Sequence, residues 1–136
     1  MQAVIHTCAF RGIDTVPVSV QVHLSNGLPA MMIVGLAYKA VAESKERIRA
    51  ALSSMGLALP AKRISINLAP ADVIKEGAPF DLPIACGLLA AMGVVPSDAF
   101  DDALILGELS LDGRLAPVAG ALSPRLISLK IFNVLI

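Results

Sequence analysis

Few residues of this sequence have the types and spacing that catalysis or metal binding requires. Cys8 and Cys86 each lie within an apolar run and are not arranged as CxxC, so we predict two buried thiols. His6 and His23 fall in strand-like segments, and His23 is on the polar side of its segment, where a solvated side chain is expected. A zinc site would need these four side chains to converge from distant positions. We therefore expect no metal site in the chain.

The carboxylates and glycines also have ordinary explanations. Asp101 and Asp102 follow a prolyl segment, where an acidic cluster or a helix cap is expected, and Asp112 precedes glycine in a turn dipeptide. Glu108 lies inside a strand-like segment, where we interpret it as an exposed edge charge rather than a general base. The sequence contains neither GxxxxGK followed by Ser or Thr nor GxGxxG after a strand, the segments that cradle phosphates. We expect no cofactor or nucleotide to bind within this chain.

The composition favours one domain that works together with partners. Of its 136 residues, 56% are hydrophobic and 16% are charged, against about 25% charged in typical proteins. So apolar a surface indicates contact with further domains or other subunits. The net charge is zero, and four Phe, one Tyr and no Trp argue against a dedicated single-strand nucleic-acid binder, while a local basic patch stays open. No uncharged apolar run reaches the roughly 20 residues of a membrane span, and the N-terminus is unlike a signal peptide, so we expect a cytoplasmic protein.

Hydrophobic periodicity predicts six strands and two helices. Period-two alternation is clearest at residues 15–25, which carry valines on one side and polar residues on the other. A helical pattern with a charged face occupies residues 37–55. The remaining predicted elements are strands at residues 3–10, 29–35, 63–69, 103–109 and 114–120 and a helix at residues 81–92.

Two local signals predict how these elements connect. Ser-Asn-Gly at residues 25–27 is typical of a hairpin, so we expect the strand at 29–35 to pair with the strand before it. Asp81 is a favourable N-cap for the second helix. The order β-β-β-α-β-α-β-β predicts an α+β fold, with helices packed on one face of a mixed or mostly antiparallel sheet.

Several long motifs occur in an order that identifies a family resemblance. GLPAMMIVGLAYKAVAESKERIRAAL is followed by NLAPAD, KEG, FDLPIA and GELSLDGRLAPVAG. Over residues 1–122 the chain resembles the N-terminal domain of ComM/YifB-type, magnesium-chelatase-like AAA+ ATPases. The resemblance implies a Lon-protease-like fold of the ribosomal protein S5 domain 2 type. It also implies that the chain stops before the ATPase domain, the only part for which ATP and Mg²⁺ are expected.

The same resemblance implies that a protease site has been lost. Lon-type enzymes place their serine within Asp-Gly-Pro-Ser-Ala-Gly, and the similar segment here, DLPIAC, has Ile84 in the serine position. Leu122 stands where the catalytic lysine would be, after matching residues of the Gly-Glu motif. Because isoleucine and leucine supply neither a nucleophile nor a base, the resemblance implies that this chain is not an enzyme.

The resemblance also implies a role with DNA. ComM-like proteins resemble hexameric DNA translocases of recombination and natural transformation, and the DNA-repair protein RadA carries a related domain. A domain of this kind would help subunits assemble and would contact DNA, with self-association or the ATPase domain as its protein partners and no membrane contact. The basic residues best placed to touch phosphate are Lys62, Arg63, Lys75, Arg47 and Arg114. Ordinary solvated charges or internal ion pairs are the other interpretation of these residues.

The end of the sequence departs from the family. Residues 123–136, SPRLISLKIFNVLI, form an atypical apolar tail, whose last six residues are β-prone and are predicted to pack as a strand on a sheet edge or a partner chain. Three functional hypotheses therefore stand: a DNA-contacting accessory domain, a protein-interaction module without DNA contact, and a Lon-type serine peptidase relative. Ile84 and Leu122 disfavour the third.

Overall fold

The computed structural model describes residues 2–11, 14–73, 75 and 78–116. Within these ranges, the order of elements confirms the predicted β-β-β-α-β-α-β-β sequence and the α+β class. The elements are β1 (Gln2–Arg11), β2 (Asp14–Ser25), β3 (Ala30–Val34), α1 (Tyr38–Ser54), β4 (Arg63–Ala69), α2 (Asp81–Ala91), β5 (Glu108–Leu109) and β6 (Leu115–Ala116), with a 3₁₀ turn (Ala78–Phe80) before α2. The proposed domain boundary at Leu122 and the apolar tail at residues 123–136 lie outside the described residues.

Four strands form a mixed sheet in the order β1-β2-β4-β3. β1 and β2 pair antiparallel, as do β2 and β4, whereas β3 and β4 pair parallel. The hairpin predicted from residues 25–27 is therefore wrong, because β4 lies between β2 and β3. β4 and residues 19–25 of β2 have matching apolar alternation over the whole length of β4, while β3 has only five residues. The chain then needs a crossover to place β3 beside β4, and α1 supplies it.

One face of this sheet is apolar and carries the two helices. In the pairing register, Val22 lies between Ala3 and Ile66, and Ile33 follows Ile66 on the next strand. These side chains belong to the hydrophobic core together with residues of both helices. The alternation predicted for residues 15–25 is confirmed, since Val18, Val20 and Val22 are buried. The helices therefore pack on the side that the valines occupy.

The helix α1 confirms the predicted helical segment to within one residue at each end. Ile48, Ala51 and Leu52 are buried at helical spacing, so one stripe of α1 faces the core. Gly56 has φ +78° and ends the helix, and the following Leu57 N–H donates to the carbonyl of Leu52 at 2.9 Å. This bond satisfies a carbonyl group that the helix end would otherwise leave free.

The helix α2 is buried along its whole length. All of its residues from Asp81 to Ala91 are buried, so it has no solvated stripe and packs between α1 and the sheet. Gly87 permits a close approach to β2, because a Cβ atom added there would lie 2.6 Å from Cγ2 of Val22. The expected N-cap at Asp81 is wrong: Phe80 is the N-cap, no side chain caps the helix, and the carboxylate has other partners.

The last predicted strands are shorter than expected. Within residues 103–109 only Glu108–Leu109 form a strand, although Leu104 makes a parallel bridge with His6 of β1. Residues 111–113 turn as predicted, and Leu115–Ala116 return antiparallel to β5. The remainder of the predicted strand at 114–120 lies outside the described residues. This small second sheet closes over the beginning of α2, where the backbone N–H of Leu82 donates to the carbonyl of Gly107 at 3.0 Å.

Candidate functional site

The first residue of α2, Asp81, is the centre of a buried polar cluster. Its side chain has no exposed surface. Arg47 of α1 forms an ion pair with it through Nε and donates a second hydrogen bond from Nη2 to Oδ1 at 3.1 Å. Ser44 Oγ donates to Oδ1 at 2.8 Å, and the backbone N–H of Leu109 donates to Oδ2 at 3.2 Å. One carboxylate therefore holds α1, α2 and β5 together.

The electrostatics of this cluster are those of a charge removed from water. Burial raises the pKa of Asp81, and the hydrogen bonds from Arg47 and Ser44 oppose that rise. The hydrogen bond to Asp81 raises the pKa of Arg47, since it favours the charged guanidinium. Because the carboxylate of Asp81 has no exposed surface, a substrate cannot contact it. The cluster is therefore a structural connection between elements.

The position that resembles the serine of Lon-type proteases lies one turn further along α2. Ile84 is 0% exposed and belongs to the hydrophobic core. Cys86 is 2% exposed, and burial raises its pKa far above that of a free thiol. Burial also raises the pKa of Cys8, which is 5% exposed, so both predicted buried thiols are confirmed. Leu122, the other degenerate protease position, lies outside the described residues.

The five basic residues predicted to touch DNA do not form one surface. Lys62 and Arg63 are adjacent and exposed at the beginning of β4. Arg63 Nη2 lies 3.4 Å from the sulfur of Met32, and no ion pair of Arg63 occurs within the described ranges. Arg114 is also exposed, but its guanidinium lies 3.5 Å from the carboxylate of Asp112.

The other two predicted contacts have internal partners. Arg47 is committed to Asp81 in the buried cluster. Lys75 is only 5% exposed, and its ammonium donates to the carbonyl oxygens of Pro70 at 2.6 Å and Val73 at 2.8 Å. Burial lowers the pKa of Lys75, and the negative charge of Asp72 opposes this shift. Arg47 and Lys75 therefore make internal contacts, as the second interpretation of the basic residues predicts. Of the five predicted residues, Lys62 and Arg63 remain as an adjacent, exposed pair.

Arg63 lies on a surface that the sequence does not show as one unit, because its residues come from four strands. We define the open face as the side of the sheet away from the helices, where side chains of neighbouring strands form rows. The rows are Gln2–His23–Ser65–Met32, Val4–Gln21–Asn67–Val34, His6–Ser19–Ala69 and Ser25–Arg63–Ala30. None of these side chains is buried, and the prediction of a solvated His23 is confirmed.

The open face could have been found only in part from sequence. The polar residues of β2 were assigned to one side by their alternation, and the same period occurs at Arg63, Ser65 and Asn67 of β4. What the sequence could not supply was the register that places Asn67 beside Gln21, because the strands are far apart in the chain. The Arg47–Asp81 pair had no local signal either, since its partners are 34 residues apart.

The described ranges contain neither a metal-binding cluster nor a membrane-spanning helix. No group of three or more His, Cys, Asp or Glu side chains there could hold a metal ion. Neither helix in this part of the chain combines the length and hydropathy that a membrane crossing requires.

Comparison with known proteins identifies the relatives of this chain. Residues 20–131 match the family model described as subunit ChlI of Mg-chelatase. The chain is 44% identical to YifB of Escherichia coli over 128 residues, and 46% identical to YifB of Salmonella typhimurium over 121 residues. It is 42% identical to the competence protein ComM of Haemophilus influenzae over 128 residues.

These matches cover most of this chain and a small part of each relative. They span 94%, 89% and 94% of the chain and 25%, 24% and 25% of the respective relatives. The chain thus spans about a quarter of the length of the curated relatives it matches. Because the family model covers far more than half of its residues, the chain belongs to the magnesium-chelatase subunit ChlI family, with YifB and ComM among its relatives.

Proposed function

We propose that this domain is a non-catalytic accessory domain of a magnesium-chelatase-like AAA+ ATPase, in which it helps subunits assemble and contacts DNA. The proposal includes a Lon-protease-like fold of the ribosomal protein S5 domain 2 type, with which the order of elements and the mixed sheet are compatible. ATP hydrolysis and translocation would then belong to other parts of a longer protein.

The observation that carries the non-catalytic assignment is the burial of α2. In a Lon-type enzyme the beginning of this helix presents a nucleophile to substrate. Here every residue of α2 is buried, and Ile84 has no exposed surface. A hydroxyl or thiol nucleophile needs access and a neighbouring base, and Ile84 offers neither.

The observation that supports DNA contact is the exposed pair Lys62 and Arg63. Two adjacent cations at one end of a strand can each neutralise a phosphate, which makes binding salt-dependent. The name of the Haemophilus influenzae relative, a competence protein, supports a process that handles incoming DNA.

The test is DNA binding by the purified chain. We expect fluorescence polarisation with a labelled mixed-sequence 20-mer to show binding that weakens steeply between low and physiological salt. The variant Lys62→Ala/Arg63→Ala should reduce the slope of log affinity against log salt by about 1.4 to 1.8, the equivalent of two phosphate contacts. An active-site serine probe should leave the chain unlabelled, and labelling would refute the non-catalytic assignment.

A second candidate function is protein interaction without DNA contact. It is favoured by exposed apolar side chains near the two ends of β3: Leu28 is 88%, Val34 57% and Tyr38 94% exposed. β3 is also an edge strand, with no pairing partner on its outer side among the described residues. The absence of DNA binding at low salt, together with association that Val34→Lys abolishes, would favour this function over the first.

A further inference from the structure

The open face of the sheet is unoccupied by any described element. On the other side α2 packs against the sheet, where the residues in register with Val22 form the core, and α1 packs on α2. The open face has a groove of about 310 Å³, lined among others by Gln2, Gln21, Arg63 and Asn67. Among the described residues no helix covers this groove, which leaves it available to a partner.

The charge of the open face differs from that of the whole chain. The sequence has eleven acidic and eleven basic residues and is neutral overall. The four rows of the open face contain Arg63 and no aspartate or glutamate. The two rows nearest the groove contain Gln2, Gln21 and Asn67, whose amides both donate and accept hydrogen bonds. Because the charged side chain of these rows is the cation Arg63, the partner that this surface complements is anionic.

The hydrogen bonds already present leave donors free. Asn67 Nδ2 donates to Gln21 Oε1 at 3.1 Å, and Gln21 Nε2 lies 3.4 Å from Ser19 Oγ. The first bond joins the amides of two neighbouring strands, and the second contact runs along β2. The guanidinium of Arg63 has only the weak sulfur acceptor of Met32 as its hydrogen-bond partner among the described residues. Arg63 can therefore accept an anion without breaking an ion pair.

We propose that the open face binds the phosphate backbone of a nucleic acid, with Arg63 and the amides of Gln21 and Asn67 as the contacts. This inference rests on the DNA contact proposed above and names the surface that makes it. Arginine and side-chain amides are among the usual donors to phosphate oxygens, and such contacts do not read base sequence. The rows contain no Phe, Tyr or Trp, and the proposed contacts are to phosphate, so the binding is sequence-tolerant.

The width of the sheet indicates how the backbone lies. Three spacings of about 4.8 Å make the four-stranded face roughly 14 Å wide. That width exceeds both the minor groove, at about 6 Å, and the major groove, at about 12 Å. The face is therefore wider than an undistorted groove of duplex DNA, and we expect it to contact one backbone from outside or a single strand laid across the rows.

The test compares variants that make the same change in net charge on opposite sides of the domain. Gln2→Glu/Asn67→Asp adds two negative charges to the groove of the open face with little change in shape, and the two residues lie on strands that are not neighbours, so the new carboxylates do not face each other. Arg49→Glu makes the same net change on α1, where Arg49 is exposed. Each protein is titrated into labelled single-stranded and duplex 20-mers at low salt, and its folding is checked by circular dichroism.

We expect the Gln2→Glu/Asn67→Asp variant to bind at least about tenfold more weakly than the unmodified chain, and Arg49→Glu to bind within about twofold of it. Equal weakening by both variants would overturn the inference, because bulk charge would then explain the effect. Unchanged binding by the open-face variant would overturn it while leaving the proposed DNA contact intact. If the unmodified chain binds neither 20-mer at low salt, the proposed DNA contact itself fails, and this inference fails with it.

Discussion

Replacing Arg47 by methionine removes the partner of the buried Asp81 carboxylate without removing the volume of the side chain. The carboxylate has no exposed surface, and Arg47 supplies its only ion pair among the described residues. Ser44 and the N–H of Leu109 remain as neutral donors after the change. A charge that was paired becomes a buried charge with hydrogen bonds alone.

The expected cost follows from this geometry. Breaking a buried ion pair by removing one partner costs about 3–5 kcal/mol, because the other charge stays out of water. A domain of this size has a total stability of roughly 5–15 kcal/mol, so Arg47→Met should remove a large part of it. The corresponding fall in melting temperature is on the order of 10–20 °C.

Urea unfolding followed by far-ultraviolet circular dichroism measures this loss, since the chain has no Trp and a single Tyr for fluorescence. Arg49→Met is the matched control, because Arg49 also pairs with a glutamate of α1, Glu46, but both side chains are exposed. An exposed pair at this spacing contributes at most about 0.5 kcal/mol. The two variants lose the same charge and the same side chain from the same helix.

The sign of the pH dependence gives a second measurement. Burial raises the pKa of Asp81 in the folded state, and loss of Arg47 removes the main opposing interaction. A group whose folded pKa is above its unfolded value loses stabilising effect as pH rises, so the deficit of Arg47→Met should be larger at pH 8 than at pH 5. If Arg47→Met and Arg49→Met unfold within about 1 kcal/mol of each other at pH 8, the cluster does not hold the helices together as described.

Three further predictions test buried contacts on α2, on β1 and in the loop before α2. Gly87→Ala should lower the free energy of unfolding by about 1–3 kcal/mol, because its Cβ would lie 2.6 Å from Val22; an unchanged urea midpoint would contradict that close approach. Cys8 and Cys86 should resist a thiol reagent at pH 8 in the native chain and react fully in denaturant, since both are buried with a raised pKa; rapid native labelling would show that α2 or β1 is accessible. Lys75→Met should lower the melting temperature by a few degrees, because the two carbonyls that its ammonium binds lose a charged donor. DNA affinity should not change, since Lys75 is buried. A fall in DNA affinity at unchanged stability would show that Lys75 contacts DNA.

Much of the fold could be predicted from local patterns. The valines of β2 alternate strictly, so their burial on one side followed from the period of a strand. The partner of β3 could not be predicted in this way. The Asn26–Gly27 turn favours a hairpin locally, but β4 competes for the same edge of β2 from far along the chain, and it forms more pairs. A local turn preference was therefore overridden by a longer non-local pairing.

The role of a site residue could be predicted only where that role depends on the residue's own chemistry and not on its partners. Ile84 cannot be a nucleophile in any surroundings, and its burial adds to that argument. The role of a charged residue depends instead on its partner. From sequence, Asp81 is expected to cap a helix and Arg47 is expected to be a solvated cation. When α1 and α2 pack together, the two side chains form a buried ion pair, so neither has the role expected of it. Lys75 was similarly indistinguishable from Lys62 until the loop carbonyls were in place.

The two sides of the sheet therefore separate stability from proposed binding. Residues on the helix side, such as Val22 and Ile66, hold the core, and a change there affects the fold first. Gln21 and Asn67 lie on the same strands as those residues, but their side chains are on the opposite face of the sheet, outside the core. A change on the open face can consequently alter contact with a partner while the unfolding free energy stays within about 0.5 kcal/mol, the usual range for surface substitutions. Weaker DNA binding in an Arg47 variant would report loss of structure, whereas the same effect in an open-face variant of unchanged stability would report a lost contact.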